Sequence, residues 1–109
     1  MSADQIVAAA QSYIDQQTVF AGGCSDMVRN AYAAGGIAIP QNYQANDILQ
    51  NYPCPVDVQP GDIAGWIKNP NGHVVIYLGP NKFANCPDLG QATKLNTNMG
   101  NPLTYVRPA

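Results

Sequence analysis

Charged residues are scarce in this sequence, and glutamate is missing altogether. Only 11% of the 109 residues are charged, against about 25% in an average protein. The absence of glutamate excludes acid–base chemistry based on that residue. The five lysines and arginines are scattered singly, so no basic patch is present to release counterions from a nucleic acid. We therefore expect no nucleic-acid partner and no electrostatic attachment to anionic membranes.

Long apolar runs are absent as well. No stretch approaches the roughly 20 residues of a spanning helix, so we expect no membrane insertion. The first residues lack the cationic start and apolar stretch of a secretory signal peptide. We expect a separate route to deliver the chain if it acts outside the cytoplasm.

Metal-binding side chains are few. The sequence has three cysteines and one histidine, and no two cysteines form a C-x-x-C pair. This spacing gives no support to a scattered zinc site of three cysteines and the histidine. We expect neither a metal nor an organic cofactor.

Hydrophobic residues are plentiful at 46% of the chain, enough for one compact domain over residues 1–109. Helical periodicity predicts a first helix ending near Gln17, a second from 24 to 34 and a short helical turn from 44 to 51. After residue 61 the pattern becomes extended. Helices followed by closely connected strands predict an α+β fold with an antiparallel sheet. The predicted strands cover 62–67, 73–78, 82–85, 92–95 and 103–107.

Cys24 is the candidate nucleophile. It follows Gly22 and Gly23 and opens the second predicted helix, where free backbone amides and the helix dipole favour a thiolate. The only imidazole in the chain belongs to His73, at the start of the strongest predicted strand. A cysteine activated by a histidine is a recurrent arrangement for acyl transfer.

Asn85 is the candidate third residue. It lies across the turn at Gly79-Pro80-Asn81, on the strand expected to pair with that of His73. Its amide oxygen could therefore accept a hydrogen bond from the imidazole nitrogen that faces away from Cys24, and so fix the tautomer.

Three motifs in this order resemble those of the NlpC/P60 cysteine peptidases. They are GCSDMV at 23–28, QPGDI at 59–63 and GHVVIYLG at 72–79. The family has a Cys-Ser-Gly nucleophile motif, a Pro-Gly-Asp-Leu strand entry and a Gly-His-Val-Gly-Ile-Tyr strand. Its third polar residue follows the histidine at about the interval that separates Asn85 from His73. The sequence departs from this pattern around the cysteine, where Gly23 stands in place of the usual Asp and Ser25-Asp26 in place of Ser-Gly. It departs again at Asn85, where the family commonly has His.

This resemblance implies a papain-like core in which N-terminal helices pack on an antiparallel β-sheet. It also implies an amidase or endopeptidase that cleaves peptidoglycan stem peptides, typically between D-Glu and a diamino acid. Cys24 would attack the amide carbonyl, His73 would protonate the leaving amine and then activate water, and Asn85 would orient His73.

The short chain also resembles the amidase effectors that secretion systems inject into rival bacteria. Such an effector would act at the cell wall or in the periplasm of a target cell, and its producer would carry an immunity protein. A phage lysis protein and a fragment of a larger protein fit the same features.

Other interpretations of the same residues stay open. The site could serve acyl transfer on a protein, such as deamidation or transglutamination, or it could be idle in a wall- or partner-binding module. In the idle case Cys24 is a small buried hydrophobe, and His73 and Asn85 serve turns. Cys54 and Cys86 are interpreted as structural, and the odd count leaves open whether all three cysteines are free or these two pair.

Overall fold

A computed structural model describes residues 2–100 and 103–108. Within these residues, three helices precede five strands. The strands form one sheet in the order β4-β3-β2-β1-β5, and every neighbouring pair is antiparallel. The predicted α+β architecture is therefore confirmed. The elements are α1 Ser2–Asp15, α2 Cys24–Ala34, α3 Ala45–Asn51, β1 Ile63–Trp66, β2 His73–Gly79, β3 Lys82–Asn85, β4 Lys94–Asn96 and β5 Thr104–Val106.

The predicted boundaries agree with the structure to within two residues, and the two largest differences have local reasons. The first helix ends at Asp15 rather than near Gln17, because Gln17 adopts a positive φ of 52°, which a right-handed helix does not allow. The fourth strand begins at Lys94 rather than at Ala92, because Ala92 forms a bridge with Val19 outside the sheet. The second helix has the predicted bounds.

The main core lies between the helices and one face of the sheet. Apolar residues of α1 and α2 recur at helical spacing, so each helix turns one stripe toward the strands. A smaller cluster on the opposite face groups Ala64, Val75 and Phe83 with neighbouring aromatic side chains. The main core contains Ile6 and Ala10 of α1, Met27, Val28, Ala31 and Tyr32 of α2, Ile48 of α3, and Ile63, Val74, Ile76, Ala84 and Val106 of the sheet.

All three cysteines are free, so the suggested pair of Cys54 and Cys86 does not form. Cys86 is completely buried at the end of β3, whereas Cys54 is exposed. Over residues 2–100 and 103–108, no cluster of three potential ligand side chains is arranged to hold a metal ion. Within those same residues, no helix has the length and apolar character needed to span a membrane.

Candidate active site

Cys24 is the first residue of α2, as predicted. Gly23 precedes it with φ 73° and ψ −143°, a conformation that is essentially confined to glycine. A Cβ atom at Gly23 would lie only 2.9 Å from Cδ2 of Leu89. The glycine therefore allows both the abrupt entry into the helix and the close approach of the loop that carries Leu89.

Backbone amides surround the sulfur of Cys24. The N–H groups of Val74, Ser25 and Cys24 itself are directed at it. Burial raises the pKa of the Cys24 thiol, these amides oppose the rise, and the negative charge of Asp88 adds to it. The helix terminus alone led us to expect a lowered pKa, but desolvation of the thiolate outweighs the amides. The resting group is therefore a thiol.

His73 and Asn85 are in direct contact. Nε2 of His73 lies 2.7 Å from Oδ1 of Asn85, and Asn85 is only 5% exposed. The hairpin between β2 and β3 pairs Ile76 with Ala84 and Tyr77 with Phe83, which brings Asn85 alongside the start of β2. The contact predicted from the hairpin register is present.

The structure brings the three candidate residues to one end of β2. The Cys24 sulfur faces the backbone N–H of Val74, and Val74 directly follows His73 in the strand. The imidazole uses Nε2 for Asn85, so Nδ1 is the nitrogen left to exchange a proton with a thiol.

Two further side chains extend this group, and sequence reasoning missed both. The ring of Trp66 lies against the imidazole of His73, with centroids 5.2 Å apart. The two residues are cross-strand partners in the β1–β2 ladder, so a hairpin register would have found Trp66. On the other side, Nδ2 of Asn85 donates to Oδ1 of Asn96 at 3.3 Å. No sequence motif includes Asn96. The loop between β3 and β4 is too long for the sequence to determine how β4 pairs with β3.

Asp26 stabilises the start of α2. Its carboxylate accepts hydrogen bonds from Gly22 N–H at 2.8 Å and from Arg29 at 2.6 Å. The hydrogen bond from Arg29 lowers the pKa of Asp26, burial opposes this, and the Gly22 amide lowers it further. Arg29 also donates to the carbonyl of Tyr43 at 2.6 Å. Asp26 thus holds the glycine turn before Cys24.

The Pro-Gly-Asp motif lies away from the sulfur. A cavity of about 560 Å³ is lined by Tyr32, Asp62 and Arg107 among others, about 12 Å along α2 from Cys24 by helical rise. The carboxylate of Asp62 is buried and paired with Arg107 at 2.6 Å, and it accepts from Gln59 N–H at 2.8 Å. Asp62 therefore holds the turn that leads into β1.

No protein-family model and no curated protein sequence matches this chain. Solved structures do match it. RipD from Mycobacterium tuberculosis, described as a non-catalytic NlpC/p60 domain protein adapted to peptidoglycan binding, is 18% identical with a TM-score of 0.76. The match covers 98% of this chain and 97% of that one. This chain has the NlpC/P60 fold.

Other NlpC/P60 structures agree with this assignment. The NlpC/p60 domain of the peptidoglycan hydrolase SagA is 23% identical with a TM-score of 0.72, and the match covers 96% of this chain and 97% of that one. RipA, a protein that interacts with the resuscitation promoting factor, is 19% identical with a TM-score of 0.77 over 98% of this chain and 62% of that one. The resemblance seen in the sequence is confirmed at the level of the fold.

The RipA structures also supply a comparison of spacing. Three of them carry mutations at a cysteine, a histidine and a glutamate. The intervals between these positions equal those that separate Cys24, His73 and Asn85. The third residue is a neutral amide here, where RipA has a carboxylate.

Proposed function

We propose that this NlpC/P60 domain is a cysteine amidase or endopeptidase that cleaves peptidoglycan stem peptides, at a bond between D-Glu and a diamino acid. One contact carries the proposal, the 2.7 Å hydrogen bond between His73 and Asn85. The residue after His73 in β2 is Val74, whose backbone N–H faces the Cys24 sulfur. The hydrolase SagA, which has the same fold, and the equal spacing in RipA support it.

The proposed reaction begins with proton transfer. Because Oδ1 of Asn85 accepts from Nε2–H of His73, the lone pair of the neutral imidazole lies on Nδ1. Since burial raises the pKa of the Cys24 thiol, the thiol is neutral at rest. Nδ1 must therefore remove its proton as the sulfur attacks the amide carbon.

The remaining steps conserve that proton. Formation of the S–C bond moves the carbonyl π electrons onto oxygen and gives a tetrahedral oxyanion. When the oxyanion collapses, the C–N bond breaks and His73 gives the proton from Nδ1 to the departing amine. A water molecule, deprotonated by the same nitrogen, then attacks the thioester and releases Cys24 as the thiol.

The oxyanion would be bound at the start of α2. The first intrahelical bond at this end runs from Met27 N–H to the Gly23 carbonyl, so the amides of Cys24 and Ser25 precede the hydrogen-bonded part of the helix. Preorganised backbone donors of this kind stabilise a developing oxyanion. We assign the backbone amides of Cys24 and Ser25 as the two hydrogen-bond donors to the oxyanion.

Mass spectrometry of purified muropeptides tests the proposal. The wild type should release new fragments whose masses name the bond cut, whereas Cys24→Ala and His73→Gln should release none. Cys54→Ala is the matched control, because Cys54 is free and exposed and should keep full activity. Absence of cleavage by the folded, reduced wild type would overturn the hydrolase proposal for these substrates.

A non-catalytic wall-binding module is the second candidate. RipD, which covers almost the whole chain, is described as non-catalytic and adapted to peptidoglycan binding, and the raised pKa of Cys24 is compatible with an idle thiol. Cosedimentation with insoluble peptidoglycan distinguishes the two. Binding without fragment release by the wild type would favour the module, and fragment release that Cys24→Ala abolishes would exclude it.

The proposed substrate places the site of action at the bacterial cell wall. The effector role and the immunity protein stay predictions from the resemblance. Expression with and without periplasmic targeting tests the effector role, because lysis should require both targeting and Cys24.

A further inference from the structure

Asn96 is the outermost member of a chain of hydrogen bonds that ends at the imidazole. Its Oδ1 accepts from Nδ2 of Asn85 at 3.3 Å, and Oδ1 of Asn85 contacts Nε2 of His73 at 2.7 Å. Asn96 pairs with Phe83 in the β3–β4 ladder, where Asn85 pairs with Lys94. Asn85 and Asn96 are thus diagonal neighbours on the same face of the sheet.

The direction of these bonds determines which imidazole nitrogen carries the hydrogen. A side-chain amide has one acceptor end and one donor end. While Asn96 offers an acceptor, Asn85 turns its NH₂ group toward Asn96 and its oxygen toward His73. An oxygen facing Nε2 requires that Nε2 carries the hydrogen and that Nδ1 is free to accept a proton.

Reversal of the Asn85 amide would have the opposite effect. The NH₂ group would then face Nε2, so the hydrogen would move to Nδ1, the nitrogen that must accept the thiol proton. It would also place a donor against a protonated imidazole, which has no acceptor to offer. Because Asn85 is almost completely buried, water does not readily replace the lost partner.

We propose that Asn96 is a positioning residue: by accepting a hydrogen bond from Asn85, it fixes the amide orientation that keeps Nδ1 of His73 unprotonated. The contribution to catalysis rests on the proposed function of His73 as the base. The effect on the tautomer does not, because it follows from the hydrogen bonds alone.

Nitrogen-15 NMR of the imidazole tests this directly. His73 is the only histidine, so its two ring nitrogens can be assigned without ambiguity. At about pH 8, where an ordinary histidine is neutral, the wild type should carry its hydrogen on Nε2. Asn96→Leu should increase the ratio of the Nδ1–H to the Nε2–H form by about fivefold, the factor expected for loss of one hydrogen bond.

Three variants complete the experiment. Asn96→Asp retains an acceptor and should restore the wild-type tautomer. Asn96→Val lacks the acceptor but suits a strand, so it replaces Asn96→Leu if that variant does not fold. Asn98→Leu is the matched control, because Oδ1 of Asn98 accepts from Gly100 N–H rather than from Asn85; its tautomer ratio should equal that of the wild type.

The outcomes separate this inference from the proposed function. A wild-type tautomer ratio in folded Asn96→Leu or Asn96→Val overturns the positioning role, even if the protein cleaves muropeptides. A shift that Asn96→Asp reverses supports the role, even if no cleavage is found. If both proposals hold, kcat should fall in Asn96→Leu in proportion to the loss of the Nε2–H fraction measured by NMR, with little change in KM.

Discussion

Trp66 covers one face of the His73 imidazole. The ring centroids are 5.2 Å apart, the planes are inclined by 36°, and the two residues lie directly opposite each other on β1 and β2. An indole at this distance interacts favourably with a protonated imidazole through its π face. Trp66 therefore packs on the imidazole and limits its motion.

The contact with His73 should quench the emission of Trp66. Trp66 is the only tryptophan and His73 the only histidine, and an imidazole in contact with an indole quenches its emission. We expect the tryptophan emission of folded His73→Gln to exceed that of the wild type at the same pH. Equal emission of the two proteins would contradict the contact.

The charge of Asp88 should control the reactivity of Cys24. Burial is the main cause of the raised pKa of the Cys24 thiol, and the negative charge of Asp88 adds a smaller increase. The substitution Asp88→Asn removes this charge but keeps an acceptor for the N–H of Leu89. The thiolate fraction at neutral pH should therefore increase, and iodoacetamide should modify Cys24 roughly twofold faster, as expected for one partly screened charge. Exposed Cys54 is the internal reference. An unchanged ratio of the two rates would refute the coupling.

Gly23→Ala should destabilise the protein more than Gly36→Ala. Both glycines have positive φ, 73° and 82°, but an added Cβ would lie 2.9 Å from Leu89 at Gly23 and would meet nothing within 4 Å at Gly36. We expect a loss of about 1 kcal/mol in the free energy of unfolding for Gly36→Ala and about 2–3 kcal/mol for Gly23→Ala.

Urea denaturation measures both losses. In the double variant Gly23→Ala/Leu89→Ala, the stability lost through the clash of the added Cβ with Leu89 should be recovered. The stability lost through the positive φ at position 23 should not be recovered. Equal losses in the two single variants would contradict the proposed packing of the loop on Gly23.

Asp26→Asn should reduce stability in a pH-dependent way. The hydrogen bond from Arg29 lowers the pKa of Asp26 in the folded protein. The ionised carboxylate therefore stabilises the fold above the unfolded-state pKa of about 3.9, and this contribution disappears as the pH falls through the lower folded-state pKa. We expect a loss of about 1 kcal/mol at pH 7 that becomes smaller at pH 3.

Unfolding free energies of the two proteins at both pH values provide the check. Asp4→Asn is the matched control, since Asp4 is an exposed carboxylate in the first turn of α1. A stability difference for Asp26→Asn that is as large at pH 3 as at pH 7 would show that charge is not its cause.

Local signals in the sequence predicted much of the candidate site. Glycines before Cys24 mark the start of α2, and the β-branched and aromatic strand that begins at His73, followed by a tight turn, sets the register that brings Asn85 to it. Each of these relationships joins elements that are consecutive in the chain. The register of a short hairpin is largely determined by its turn and its apolar pattern.

The features that could not be predicted depend on contacts between distant segments. Asn96 lies on a strand that follows an irregular loop, so its register against Asn85 is not determined locally. The acidity of Cys24 depends on its burial and on Asp88, which the fold brings to it from the loop after β3. The position of Cys24 at a helix terminus predicts only that backbone amides lower its pKa. Desolvation, which raises the pKa, has the larger effect.

Trp66, His73, Asn85 and Asn96 come from four neighbouring strands, one residue from each. A slip of one residue in any of the three pairings would turn a contributor to the other side of the sheet. A molecule with such a slip could keep most of its backbone bonds and its compactness, yet it would lack one of these contacts. A slip between β2 and β3 would remove Asn85, the hydrogen-bond partner of the imidazole itself, whereas a slip of β4 would remove only Asn96 and reduce activity less. Specific activity should therefore fall as the misregistered fraction of a preparation rises.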